Sequence, residues 1–279
     1  MCEITVCIRS VGERTFRRLI DDVGIEFGSR ANVHFVEGLS LPDAIDRCFQ
    51  VALDYKSDWL VTLDADIVLK SNFHETVIDI TKSMDVGQIE AHALTVDRLF
   101  FEFRSAGNRI YRGEKLDYLR ALLKSTRDLV RPEGAMLRKA QGEGYKIKAS
   151  KKVIGLHDFF QGSADLFRKG YLCSRKHLDN VDHLLPLWNE MAKDNLDYRV
   201  LLMGFGFGIM QTGGSNNLLS PQELNSAFKE LRGAFVEQEV DIPEEIDSFI
   251  CETISCKRFD MRNKLSMSNV LRRVRGRLF

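Results

Sequence analysis

The chain has 279 residues, with 40 Lys and Arg balanced by 40 Asp and Glu. The balance excludes the broad positive field that bulk nucleic-acid binding uses. A hydrophobic content of 44% is that of an ordinary globular core. No window approaches the roughly 18 uninterrupted apolar residues of a membrane-spanning helix. Met1-Cys2-Glu3-Ile4-Thr5-Val6 has no basic region, long apolar segment or cleavage site, so it reads as a first strand and not as a signal peptide. A cytoplasmic protein is expected. Cys2, Cys7, Cys48, Cys173, Cys251 and Cys256 form no C-x-x-C pair, which favours reduced thiols over disulfides or a zinc site.

In chain order, Ile4, Val6 and Ile8 alternate as a strand, broken by Arg9-Ser10-Val11-Gly12. Phe16, Leu19, Ile20 and Val23 predict an amphipathic helix that Gly24 and Gly28 end. Val33–Val36 is a second strand. Ser40-Leu41-Pro42-Asp43 starts a helix with one apolar face, Ile45, Cys48, Phe49, Ala52 and Leu53. Trp59-Leu60-Val61-Thr62-Leu63 is a third strand, running into Asp64-Ala65-Asp66. Alternation of this kind predicts an α/β fold with a largely parallel sheet, whose ligands bind beyond the carboxyl ends of the strands. Arg9 and Ser10 after the first strand then face the same crevice as Asp64 and Asp66.

Further on, Phe73, Val77, Ile80 and Met84 predict a helix capped by Ser71-Asn72, and residues 89–96 a strand. Residues 97–113, rich in Arg, Phe and Gly, read as irregular or as short strands before a helix at 114–128. Arg131-Pro132-Glu133-Gly134 starts another helix. Tyr145–Val153 reads as a strand with a basic face, and Gly155-Leu156-His157-Asp158 as a loop entering a helix. The remainder reads as helical, with Pro186 in a first turn, a flexible Gly204-Phe205-Gly206-Phe207-Gly208 stretch followed by Gly213-Gly214, and an acidic turn near Asp241-Ile242-Pro243. We divide the chain into residues 1–180, carrying the catalytic domain, and a helical C-terminal extension over 181–279.

Asp64-Ala65-Asp66 carries the chemistry. Mg2+ and Mn2+ prefer hard oxygen ligands and are commonly held by one or two carboxylates together with phosphate oxygens. Such a metal neutralises a diphosphate and makes it a better leaving group. The bland alternative is a solvated acidic turn at a strand end. Basic residues at 104–112 and 146–152 fit either an anion-binding wall or a solvated face. Arg9, Arg109 and Arg112 are the best placed of the arginines to meet a diphosphate.

The run Ala44, Ala52, Asp58-Trp59-Leu60-Val61-Thr62-Leu63-Asp64-Ala65-Asp66 resembles the nucleotide-sugar-binding half of GT-A-fold glycosyltransferases, with their D-x-D motif ending a strand. Ile8-Arg9-Ser10-Val11-Gly12-Glu13 stands where the commonest family-2 pattern has Pro-x-Tyr/Phe-Asn. The resemblance implies a GT-A fold: a Rossmann-like, mostly parallel central sheet flanked by helices. It also implies an Mn2+- or Mg2+-dependent transfer of a sugar from a UDP- or GDP-sugar to a hydroxyl acceptor, glycan, lipid-linked or protein, as in polysaccharide biosynthesis. Asp64 and Asp66 would hold the metal, and His157 would complete the metal or diphosphate site, a neutral imidazole suiting Mn2+. Arg9, Ser10, Asp64, Arg109 and Arg112 would bind the donor. An inverting transfer needs a general base; Glu133 fits the placement of that base, Asp158 is the second candidate, and a retaining mechanism needs neither.

Two further classes compete. Asp64-Ala65-Asp66-Ile67-Val68-Leu69 also fits the nucleophile motif of haloacid-dehalogenase-like phosphatases, although that motif belongs on a domain's first strand and no later acidic pair is evident. A non-catalytic GT-A relative that binds nucleotide or glycan is the third. The last 23 residues hold eight Lys or Arg and one acid, Asp260. That tail fits a peripheral contact with an anionic membrane surface and equally a soluble basic tail.

Overall fold

The structure, a computed structural model, describes residues 3–129, 131–177, 180–211, 218–231 and 246–255. Its elements are β1 (Ile4–Ser10), α1 (Phe16–Phe27), β2 (Asn32–Glu37), α2 (Leu41–Asp54), β3 (Trp59–Asp64), β4 (Ile67–Leu69), α3 (Phe73–Lys82) and β5 (Gln88–Asp97). They are followed by β6 (Glu102–Arg104), β7 (Asn108–Arg112), α4 (Leu116–Lys124), α5 (Pro132–Gly142) and β8 (Lys146–His157). The described chain is then helical: α6 (Ser163–Lys176), α7 (Val181–Met191), α8 (Leu196–Met210), α9 (Pro221–Leu231) and α10 (Ile246–Ser255).

The strands form one 8-stranded sheet in the order β2-β1-β3-β7-β5-β8-β4, with β6 paired to β5. β1, β2, β3, β5 and β8 share one direction, and β4, β6 and β7 oppose it. The fold is thus α/β with a mostly parallel sheet flanked by helices, as the strand-helix alternation predicts. Side chains sort by the two-residue period of a strand. Ile4, Val6 and Ile8 of β1 and Trp59, Val61 and Leu63 of β3 pack against α1 and α3. Cys7 and Leu60 face α2, α4 and α5 on the other side. By the same alternation Arg9 and Asp64 belong to that second side, which is where α5 brings Glu133.

Several local expectations need correction. Gly24 lies inside α1, which runs on to a C-cap at Gly28 with φ 51°. Asn72 precedes α3 in the left-handed region but makes no side-chain cap. Instead the Glu26 carboxylate of α1 accepts the backbone N–H groups of Asn72 at 2.9 Å and His74 at 3.1 Å. This satisfies donors a helix start leaves open. Pro186 stands inside α7, not in its first turn. The Gly213-Gly214 pair, the turn at Asp241-Ile242-Pro243 and the basic tail lie outside the described residues. Among the described residues no helix is long and apolar enough to cross a membrane.

The largest correction concerns Gly204 to Gly208, which are helical and not a flexible link. α8 packs against α6 through these glycines. A Cβ at Gly204 would stand 2.0 Å from the Phe167 carbonyl oxygen, one at Gly170 2.0 Å from that of Leu201, and one at Gly208 2.0 Å from Ser174 Oγ. Gly206, on another face, has nothing within 4 Å of its Cβ position. Around this seam Leu166, Phe167, Tyr171, Trp188, Leu201, Leu224 and Phe228 form an apolar cluster that also takes in Leu99 and Phe100 beyond β5. Trp188 Nε1 donates to the Leu99 carbonyl at 2.7 Å, and Arg98 pairs with Asp197 at 2.7 Å. The helices are therefore bolted to the end of the sheet.

Gly204→Ala is expected to lower stability by about 1–3 kcal/mol through overpacking. Gly206→Ala should leave it unchanged or raise it by up to about 1 kcal/mol through helix propensity. Urea denaturation measures both; equal effects would mean that α6 and α8 do not meet along this seam.

Candidate functional site

The strand register gathers acidic and basic residues at one edge of the sheet. Arg9 is paired with Asp64 across β1 and β3, Asp97 with His157 across β5 and β8, and His157 with Ile67 across β4. His157 is the last residue of β8 itself and not part of a loop beyond it. Between the His92–Ala149 and Val96–Leu156 pairs β8 carries more residues than β5, so bulges bring His157 level with Asp97. Asp158 follows with φ 65°, and its N–H donates to the Asp66 carbonyl at 3.3 Å.

One cluster therefore unites Asp66, His157 and Asp158, each offering a ligand atom within 4.8 Å of the others. The His157 Nδ1–H donates to Asp97 Oδ2 at 3.0 Å and lies 3.3 Å from Asp158 Oδ2. Its Nε2 faces Asp66 Oδ1 at 3.4 Å. Lys169 of α6 donates to Asp66 Oδ2 at 2.6 Å and touches Asp158 Oδ1. Arg104 stands 3.6 Å from Asp97. Burial alone would push the His157 imidazole down, but Asp158, Asp66 and Asp97 reverse this and push it up to about 9. Burial pushes the Asp66 carboxyl up, and Lys169 with His157 more than offsets it, holding Asp66 below the usual carboxylate range. In Asp158 burial prevails and the carboxyl is raised.

A second network lies on the α5 side. Arg9 donates to Asp64 Oδ1 at 2.8 Å and to Glu133 Oε1 at 3.1 Å. The Tyr111 hydroxyl donates to the same Glu133 oxygen at 2.7 Å. Arg109 binds Glu90 at 3.0 Å and reaches within 4.0 Å of Glu133. Burial pushes the Glu133 carboxyl up, while Arg9, Arg109 and Tyr111 together bring it below its ordinary value. Ser10 donates to Glu13 at 2.9 Å, and Glu13 receives Arg168 of α6 at 3.3 Å, linking the loop after β1 to α6.

Of the residues singled out from the sequence, Asp66, His157 and Asp158 come together. Asp64 stands beside them but is occupied by Arg9. Arg112 is not brought to the edge: it pairs with Trp59 at the opposite end of β3, lies 4.7 Å over that indole, and donates to the Gln88 carbonyl. Arg109, half-buried, is engaged by the buried Glu90. Asp97 was missed, although an acid at the end of a strand is the same signal that marks Asp64. Lys169 was missed because only the folding of α6 over the edge brings it to Asp66, 103 positions away.

The trio's chemistry fits a divalent cation. Two carboxylates and an imidazole are donors for Mn2+ and, less its nitrogen, for Mg2+. Asp66 Oδ1 is buried and faces His157 Nε2 at 3.4 Å without making a hydrogen bond, so two prospective ligand atoms lie close together without satisfying each other. Asp97 anchors the far nitrogen of His157, as outer carboxylates do for metal-binding histidines.

No protein-family model matches the chain, and no curated protein does. Solved structures similar to it include a glycosyltransferase involved in glycosylation of the major capsid of PBCV-1, at 13% identity and TM-score 0.39, covering 54% of this chain and 82% of that one. A putative nucleotide-diphospho-sugar transferase from Desulfovibrio desulfuricans matches at 11% identity and TM-score 0.39, over 71% of this chain and 98% of that one. A 4-diphosphocytidyl-2C-methyl-D-erythritol synthase from Anaerococcus prevotii matches at 9% identity and TM-score 0.40, over 57% and 90%. Likeness at this level carries no functional weight.

Arg9→Met strands two carboxylates and should cost about 3–5 kcal/mol. Tyr111→Phe removes one donor from Glu133 and should cost about 1–3 kcal/mol. Both are read by urea denaturation. A cost for Arg9→Met no greater than that for Tyr111→Phe would show that the ion pair is not what holds Glu133.

Proposed function

We propose that the chain is a metal-dependent glycosyltransferase that moves a sugar from a nucleoside-diphosphate donor, UDP- or GDP-linked, to a hydroxyl acceptor. The observation that carries it is the Asp66, His157 and Asp158 trio at the carboxyl edge of the parallel strands, two buried carboxylates and an imidazole with ligand atoms within 4.8 Å of one another. In open α/β sheets this edge is where ligands bind. Asp66, Asp158 and His157 would hold Mn2+ or Mg2+, and the ion supplies charge neutralisation on a leaving diphosphate.

The chain's own residues divide the remaining work. Asp97 orients the imidazole of His157. Arg9, fixed between Asp64 and Glu133, sets the direction of the Asp64 carboxylate, whose side chain remains 34% exposed. Asp64 and Ser10 would meet the nucleotide end of a donor. Glu133 and Asp158, expected as candidate general bases, are given other parts in this proposal. Glu133 is engaged by Arg9 and Tyr111 and positions them, and Asp158 belongs to the metal trio. The catalytic part is assigned to residues 1–180 and the helical extension to 181–279, with α8 of the extension seated on α6.

The phosphatase alternative needs Asp64 as a free nucleophile, and Arg9 occupies it. Hydrolysis of nucleotide-sugars with Mn2+, set beside phosphate release from p-nitrophenyl phosphate, separates the two enzymes; nucleotide binding without turnover in either assay marks the non-catalytic relative. Asp66→Asn is expected to weaken Mn2+-dependent UDP or GDP binding by about 100-fold, about 2.7 kcal/mol by the affinity relation. Calorimetry well below the variant's unfolding midpoint measures this. Wild-type affinity in Asp66→Asn would sink the assignment.

A further inference from the structure

Lys169 brings a positive charge directly onto the trio. Its ammonium lies 2.6 Å from Asp66 Oδ2 and against Asp158 Oδ1, so it binds two of the three residues that would hold a divalent cation. The side chain is 14% exposed and reaches the edge from α6, outside the strands that carry the trio. A divalent ion and this ammonium compete for the same carboxylates and repel each other. Asp66 Oδ1 makes no hydrogen bond with Lys169 in place and faces His157 Nε2 at 3.4 Å, so the ammonium balances charge while engaging the other oxygen of Asp66.

We propose that Lys169 is a resident counter-ion, displaced when the divalent cation enters, and that its ammonium then passes to the diphosphate of the donor. The proposal rests on the nucleotide-sugar reading above. A lysine suits such a transfer, being a compact, strongly hydrated point charge on a flexible stem. Its neighbour does not: Arg168 is held by Asp165 at 2.9 Å and Glu13 at 3.3 Å and stays with them. An anion must receive the released ammonium, and the donor's phosphates are the anions that arrive with the metal. Metal and nucleoside diphosphate therefore enter together, and the metal alone binds weakly. No bond is made or broken in this exchange; one cation replaces another.

The test uses full-length protein and two neutral variants, Lys169→Met and Lys169→Gln, with Lys169→Arg as the charged comparison. Mn2+ alone is titrated first, followed by the electron paramagnetic resonance of the free ion. UDP is then titrated at saturating Mn2+ by calorimetry, with GDP in parallel. The neutral variants should bind Mn2+ alone about 10-fold more tightly than wild type and UDP-Mn2+ about 10-fold more weakly, 1.4 kcal/mol in opposite directions. Lys169→Arg should retain weak binding of Mn2+ alone. A purely structural lysine would weaken both, and equal or weaker Mn2+ binding by folded neutral variants overturns the proposal. If neither neutral variant folds, wild type decides: Mn2+ bound as tightly without nucleotide as with it also overturns the proposal. If wild type binds neither UDP nor GDP, the nucleotide-sugar reading fails, while the Mn2+-only comparison still judges the counter-ion.

Discussion

Carboxylates shielded from water cannot stand side by side without cations between them, and this constraint organises the whole edge of the sheet. Asp66, Asp97 and Asp158 surround one imidazole and one ammonium; Asp64 and Glu133 share one guanidinium. Charges so desolvated are costly unless each has a partner in good geometry. The cations come from three separate pieces of chain: Arg9 from the first strand, His157 from the last, Lys169 from a helix packed over both. The site is complete only when sheet and helices are assembled.

The two networks have different characters. The Arg9, Glu133 and Tyr111 group has its oxygens engaged and resembles a structural brace. The Asp66, His157 and Asp158 group keeps a buried oxygen, Asp66 Oδ1, that makes no hydrogen bond, and unmet hydrogen-bonding capacity is a mark of a site with work to do. Asp64 bridges the two in sequence and in space. Its backbone N–H donates to the carbonyl of Gly107, a residue whose φ of 66° turns the chain before β7.

Much of the sheet was legible from the sequence, because β1, α2 and β3 carry strong periodicity and good start signals. The nearness of Asp66 to His157 also agrees with the expectation that they share one site, although His157 ends β8 instead of following it. What stayed hidden depends on register and packing. Arg112 counts among the arginines best placed for a diphosphate because it follows Gly107 closely in sequence, yet an antiparallel β7 carries it to the far end of β3. His157 looked like a loop residue because bulges lengthen β8 beyond what alternation shows. Glycines spaced along α8 looked like a flexible link, since composition cannot distinguish a missing side chain that frees the backbone from one that admits a neighbouring helix.

That last ambiguity bears on the chemistry. On α6, Phe167 and Gly170 are the points pressed against α8, and Lys169 lies between them. The reach of its ammonium is thus set by a clearance smaller than a methyl group on the opposite side of the helix. The seam behaves as a spacer in the engineering sense: it fixes how far one charge stands from two others. A change in its thickness would be felt as a change in ion affinity, at residues that carry no charge and coordinate nothing.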